Sequence, residues 1–403
     1  VATGAGVSIR GADIDDGGDV VASVARGAGG IEIARVAPGG TVRWQRAIDG
    51  VGAGPIAIGD GAAVAAIAPP GDARQIDVDG GGPIAAATIR GEPGAALVGL
   101  DAATGVPGWV VTVGATDWAV IAAIDIVPGG DAIAVGSFGG TLRIGARVVS
   151  SAGASDGFAV RLDRTGKVRW LIRIGGHGAD AWTAVDATDE GVAVAGTITG
   201  EADLRGTPVV RDADQILPDV AVAWLDPDGA PKWVATLGGD AEESAAGVAA
   251  LPGGKLAVAA TVREVVVFGG ATHVARGPSD VLVAIWSRSG APVVATTLGG
   301  LDYDAARGLA VHHDEIVVAG FFSGSMKAGT RELVARGGDD GFVVRLDASA
   351  HVVSAAALSG DGSEDISTVA GAPAGVVIAF THAAALTAFG RQVAAGATIA
   401  VER

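Results

Sequence analysis

Two series of acidic residues recur along the chain with one stride, and that stride leaves few architectures open. Asp180, Glu243, Asp304 and Glu364 form one series, and Asp156, Asp219, Asp280 and Asp340 form the other, in steps of 60 to 63 residues. A fixed stride of this length marks one supersecondary unit copied around a ring or along a rod, since such a unit buries its apolar face only by stacking on a neighbour. Tryptophan keeps the same beat. Trp44, Trp109, Trp170 and Trp233, then Val294 and Val353 in the same place, follow at 65, 61, 63, 61 and 59 residues. Three of these segments end in Gly-Gly at a common offset: VRWLIRIGG (168–176), PKWVATLGG (231–239) and PVVATTLGG (292–300).

Within residues 116–176 the text reads as four short apolar runs, WAVIAAID (118–125), AIAVGSF (132–138), GFAVRLD (157–163) and KVRWLIRI (167–174). Enrichment in Val and Ile, punctuation by Gly or Pro and the lack of helical periodicity predict an all-β chain. A four-stranded antiparallel unit repeated about a centre is a propeller blade, commonly about 40 to 50 residues long. The surplus here falls between the second and third strands, as in GGTLRIGARVVSSAGAS (139–155). It predicts an extra hairpin or outward loop on each blade, a natural place for specificity. The expected fold is a single seven-bladed β-propeller domain over 1–403, with blades near 6–50, 51–115, 116–176, 177–239, 240–300, 301–360 and 361–403. The last segment lacks a Trp-type fourth strand, and the N-terminal VAT matches VAT at 234–236. Residues 1–5 are therefore expected to complete the last blade and so remove an open edge.

Composition narrows the chemistry. Cysteine is absent, which excludes disulfides, a thiolate nucleophile, zinc-thiolate clusters and attached haem. Asparagine is absent too, so Gly and Asp make the turns that need unusual backbone angles. The formal charge of -17 argues against nucleic acid and favours cations or basic partners. Mean hydropathy is +0.44, yet Gly, Asp or Pro interrupts every apolar run, so no transmembrane segment is expected. The chain begins at Val1 with no leader pattern, which leads us to expect a trimmed, exported product.

The unit GSFGGTLRIGARVVSSAGASDGFAVRLDRTGKVRW (136–170), with related text at 320–353, resembles the secreted seven-bladed β-propeller repeat proteins of myxobacteria and other high-GC bacteria. The resemblance covers residues 100–370 well and both ends loosely, and departs where Val294 and Val353 replace the tryptophan. It implies a propeller at or outside the cell surface, generally without enzymatic activity, and carries no catalytic residues over. GLDAATGVPGW (99–109) looks like the tryptophan-docking repeat of quinoprotein dehydrogenases and outer-membrane assembly propellers, in one copy only, and no quinone cofactor is expected.

First and third strands of a propeller start on one face, so both acidic series are expected at one mouth of the ring. Asp117 is taken as the first-series member of the third blade, while Ile9 and Gly54 fill that position in the first two blades and make the mouth acidic on one side only. Two readings stand for these carboxylates. They form a funnel that concentrates calcium or a basic ligand, or each accepts backbone N–H groups from the Gly-rich turn beside it. DIDDGGD (13–19) resembles a calcium loop but has Gly17 and Val24 where ligands belong, so it is read as a turn between strands. His312, His313, Asp314 and Glu315 are read as a solvated turn, because neighbours on a strand point to opposite faces. GASDG (153–157) around Ser155 precedes a strand and lacks the helix that a hydrolase elbow needs. Phe158, Trp224, Trp286 and Phe342 are expected to fill space between blades, and Trp118, Trp182 and Tyr303 are candidates for stacking on sugars.

Two function classes follow. One is a non-enzymatic exported scaffold that binds a protein, glycan or cell-surface partner through one face or through the blade insertions, without a required cofactor. The other is a carbohydrate-active hydrolase or lyase that uses the mouth carboxylates or a bound cation.

Overall fold

The computed structural model describes residues 2–3, 8–26, 30–49, 52–68, 76–77, 83–84, 94–209, 217–382, 385–388, 391–393 and 396–402. Seven antiparallel blades stand in a ring, each with its first strand against the central channel and its fourth outermost. The first blade runs Ser8–Ile14, Val20–Arg26, Gly30–Val36 and Val42–Asp49. The third runs Trp118–Ile126, Ala132–Gly139, Asp156–Leu162 and Val168–Gly176. No helix occurs among the described residues, and so none is long and apolar enough to cross a membrane. The ring closes as the sequence predicts: Ala2–Thr3 pairs antiparallel with Gly396–Glu402, Ala2 opposite Thr398 and Thr3 opposite Ala397. Val1, Gly4 and Ala5, the rest of the predicted closing segment, lie outside the described residues.

Small side chains set the blade spacing. Second and third strands are covered on both faces by neighbouring blades, so they lose the alternation of a half-exposed strand and read as unbroken apolar runs such as DVLVAIW (Asp280–Trp286). Between the fifth and sixth blades, Ala257, Ala259, Val283, Ile285, Ile316, Val318 and Phe342 interdigitate. The low aromatic content follows from this, since alanine and valine let twisted sheets approach closely along their whole length. Phe158, Trp286 and Phe342 are fully buried as expected. So is Trp182, which sits in the core between the third and fourth blades and is out of reach of any sugar.

The insert between second and third strands is a hairpin, but it does not stay with its own blade. It adds to the outer edge of the preceding one. Val113 pairs with Ile144, Ile174 with Leu204, Gly299 with Lys327 and Ser359 with Thr387, while Gly239 meets Val266 through a single bridge. Four sheets reach six strands in this way, where four strands were predicted. The Gly-Gly motif now has a cause. A Cβ on the second glycine (Gly176, Gly239 or Gly300) would overlap the carbonyl oxygen of Glu201, Val265 or Ser325 in the added hairpin. A Cβ on the first (Gly175, Gly238 or Gly299) would overlap the carboxyl of Asp156, Asp219 or Asp280.

The tryptophan anchors tie blade to blade. Indole N–H groups of Trp44, Trp109, Trp170 and Trp233 donate to the carbonyls of Ala102, Arg164, Pro227 and Arg288 at 2.7, 3.0, 3.0 and 3.1 Å, each in the third-to-fourth-strand turn of the next blade.

Candidate functional site

The two acidic series meet in pairs at blade junctions. At each junction the loop before one blade's third strand lies against the loop that enters the next blade, and the backbone N–H of the first-series acid donates to the residue preceding the third-strand aspartate. Asp180 bonds Ser155, Glu243 bonds Pro218, Asp304 bonds Ser279 and Glu364 bonds Asp339, at 2.9, 2.9, 3.1 and 2.8 Å. Beneath that contact the carboxyls close their own loops. Asp156, Asp280 and Asp340 accept from the N–H four residues back, in Ala152, Arg276 and Arg336, at 3.0, 3.2 and 3.0 Å. Asp180, Glu243 and Asp304 do the same with Gly176, Gly239 and Gly300 at 2.8, 3.2 and 2.6 Å. All eight side chains, Asp219 and Glu364 included, are buried. Burial, the leading cause, pushes Asp180 up to about 6 and Asp304 and Glu364 up to about 7, with the facing aspartate adding repulsion.

Asp117 stands apart. Strand pairing places Ala119, opposite Phe138, where Asp304 stands opposite Phe322, so Asp117 falls two residues before the series and is exposed. The same register moves the blade-one position from Ile9 to Val7, which lies outside the described residues, because a β-bulge follows Ile9 as one follows Ala306.

A different acidic set occupies the channel. Asp13, Asp125 and Asp186 hold one register position on the innermost strands of the first, third and fourth blades, opposite Val21, Ile133 and Ala193. The other four blades have alanine there: Ala57, Ala249, Ala310 and Ala370. Each aspartate reaches across to the next blade, accepting from the N–H of Ile58, Ala187 or Ala250 at 2.8, 2.6 and 2.6 Å. Asp13 and Asp125 also accept from Ile14 and Ile126 at 2.8 and 2.7 Å. Those are the N–H groups that Ala370 and Ala57 of the preceding blades cannot serve. Burial raises all three carboxyls, Asp13 to about 7 and Asp186 to about 6, and the charge of Asp186 adds to the rise at Asp125.

These aspartates line an axial cavity of about 280 Å³. Thr183, Arg307 and Ser367 line it too, each from the bulge of its inner strand. The bulge gives every blade one side chain free to differ from its siblings. Among the described residues no three His, Asp or Glu side chains converge closely enough to hold a metal ion.

At the mouth where the first strands begin, Trp118 and Tyr303 are 40% and 53% exposed, and Leu301 is 79% exposed. Arg307 lies over the Phe321 ring at 4.9 Å and pairs with Asp365 at 3.6 Å.

Asp15 makes the predicted turn, accepting from Gly17 and Asp19 at 2.9 Å each and pairing with Arg35. The histidines differ in part from expectation. His313 and Asp314 take positive φ of 49° and 66°, which folds the His313 ring back to 3.9 Å from that of His312, and His312 is buried rather than solvated. Ser155 leads directly into the strand Asp156–Leu162.

No family model and no curated protein matches the chain. Among solved structures, BamB from Moraxella catarrhalis is similar at a TM-score of 0.38 and 16% identity, over 87% of this chain and 88% of that one. The extracellular domain described for a hybrid two-component system of B. thetaiotaomicron gives 0.34 and 8%, over 96% and 57%. The V. cholerae biofilm matrix protein Bap1 gives 0.24 and 11%, over 99% and 87%.

Proposed function

We propose that the chain is a non-enzymatic scaffold of an exported bacterial protein, and that a protein or glycan partner docks on the strand-start mouth around Trp118 and Tyr303. The exposure of these two rings carries the reading. The other large aromatics among the described residues are buried or half-buried, several as blade anchors, whereas these two stand open on a rigid frame. They belong to the third and sixth blades, so one partner can span the channel between them. Tryptophan and tyrosine offer large contact area at low entropic cost, and such residues dominate binding energy at interfaces. A sugar hydrolase working through the two acidic series would need those carboxylates at an open pocket, and they are buried under paired loops.

The test is a glycan array and a pull-down from native cell surface, with wild type beside the Trp118→Ala/Tyr303→Ala variant. Loss of binding at unchanged Tm supports the docking face. A variant that binds as well as wild type sinks it, and turnover of any bound glycan by the wild type sinks the scaffold reading.

A further inference from the structure

The repeats allow an internal comparison that a single site would not. Asp156, Asp280 and Asp340 are the same residue of the third, fifth and sixth blades, equally buried, but their surroundings differ. Asp156 has three partners: Ser151 Oγ at 3.1 Å, the Ala152 N–H at 3.0 Å and the Arg173 guanidinium. Ser151 is replaced by Ala275 and Ala335 in the later units. Arg173, opposite Phe158, is replaced by Thr297 opposite Leu282 and by Ala357 opposite Phe342. Asp280 and Asp340 keep the N–H bond, while their Oδ1 atoms, and that of Asp304, are sealed from solvent without a hydrogen-bond partner. An ionised carboxylate in such a place is costly, and two facing each other are costlier.

Among the described residues, neighbouring charge offsets this only in part: Arg276 lowers the Asp280 carboxyl, but burial outweighs it and the carboxyl stays raised. At the fifth-to-sixth junction, Arg276 gives its guanidinium to the Gly299 carbonyl at 3.5 Å, Lys327 on the added hairpin is exposed, and Asp302 adds negative charge. At the sixth-to-seventh junction, Arg336 and Asp361 are exposed and Asp339 accepts from Ser323 at 2.6 Å. His382 lies opposite Glu364 in the register, with its Nε2 3.1 Å from Thr398 Oγ1. Phe322 holds the position of His382 at the earlier junction, so histidine is not common to both.

We infer that the pairs Asp280/Asp304 and Asp340/Glu364 are proton-held locks between blades, each keeping one carboxyl protonated, whereas at the Asp156/Asp180 junction the Arg173 guanidinium takes the place of the shared proton on Asp156. The upward displacement of Asp304 and Glu364 to about 7 agrees with this. The folded chain then holds protons that the unfolded chain gives up near pH 4. The stabilisation is complete below that value and is lost as pH rises through the folded-state titration. The half of the ring next to the closing blade therefore loosens more in mildly alkaline solution than the junction where Arg173 meets Asp156, at which Asp180 is pushed up only to about 6.

The experiment is thermal unfolding of the full chain between about pH 5 and about pH 8, comparing wild type with Asp304→Asn, Glu364→Gln and the Ala335→Ser/Ala357→Arg variant. Wild type should lose several degrees of Tm across that window. The two amide variants should each lose less, and the arginine variant should approach their slope. Slopes equal to wild type in both amide variants overturn the inference, whether or not the arginine variant folds. So does a Tm at the upper pH that calcium chloride restores and a chelator removes, because a metal ion and not a proton would then hold the pairs.

Discussion

Trp170 presses on Gly229 of the next blade so closely that a Cβ there would stand 2.9 Å from the indole. Gly229 also has φ of +76°, and the same pairing recurs as Trp44 with Gly105, Trp109 with Gly166 and Trp233 with Gly290. Where Val294 replaces the tryptophan, the turn of the next blade carries Ala350 with φ of 60°, so the unusual backbone alone tolerates a side chain. The indole is what demands glycine.

Gly229→Ala should therefore cost about 3 kcal/mol, the left-handed backbone and the overlap together. In a Trp170→Val background the same change should cost about 1 kcal/mol, the backbone share alone. A double-mutant cycle by urea unfolding measures the difference, and an additive cycle would refute the pairing.

Arg173 supports a different prediction. Its guanidinium meets a fully buried Asp156, so Arg173→Ala should cost about 3 kcal/mol by stranding the carboxylate. Adding Asp156→Asn should recover part of that loss, since the stranded charge is gone.

The channel aspartates set a pH dependence of their own. Asp13 and Asp186 titrate at about 7 and about 6 when folded, and near 4 in an unfolded chain. Their protonated forms stabilise the ring fully below the unfolded value, and this is lost as pH rises through the folded ones. Asp13→Asn, which keeps an oxygen for the Ile58 N–H but leaves the Ile14 N–H without its acceptor, should be less stable than wild type at about pH 4, and should recover about 1 to 3 kcal/mol relative to wild type between about pH 4 and about pH 8. Unfolding curves at the two pH values give the comparison.

Trp118 and Trp182 separate surface from core. Trp182→Ala should cost about 3 to 5 kcal/mol, while Trp118→Ala should stay within about 0.5 kcal/mol of wild type in stability. Similar losses at both positions would show that Trp118 serves the fold.

How far the sequence can be read depends on what repeats. Ring architecture, strand order and N-terminal closure were all legible, because the Trp steps and the alternation of apolar runs with Gly turns depend on local spacing. The destination of the hairpins was not legible, since GGTLRIGARVVSSAGAS forms the same local turn on either blade edge. The Gly-Gly pair held the missing clue: two adjacent positions without side chains mean that something passes over them. The acidic series are legible because they repeat, and repetition favours residues that shape turns. Asp125 and Asp186 do not stand out in the sequence, because alanine stands in their place in four other blades. Their signal was the departure from the pattern. Asp117 resembles the series in its chemistry alone, and only strand pairing shows that Ala119 holds the position.

Because every lent hairpin points backward along the chain, the ring has a direction and therefore a seam. The first blade passes from Arg26 to Gly30 with no room for a hairpin, so it has nothing to lend to the seventh. The seventh ends at its fourth strand, which the two described residues Ala2–Thr3 supply. A circular permutant cut at a hairpin tip would keep every clasp but one. A permutant cut between blades, or a protein with a blade removed at the boundaries the repeat suggests, would leave a hairpin with no edge to rest on. The piece that can be exchanged, duplicated or grafted is thus offset from the blade the eye picks out, and runs from one hairpin to the next.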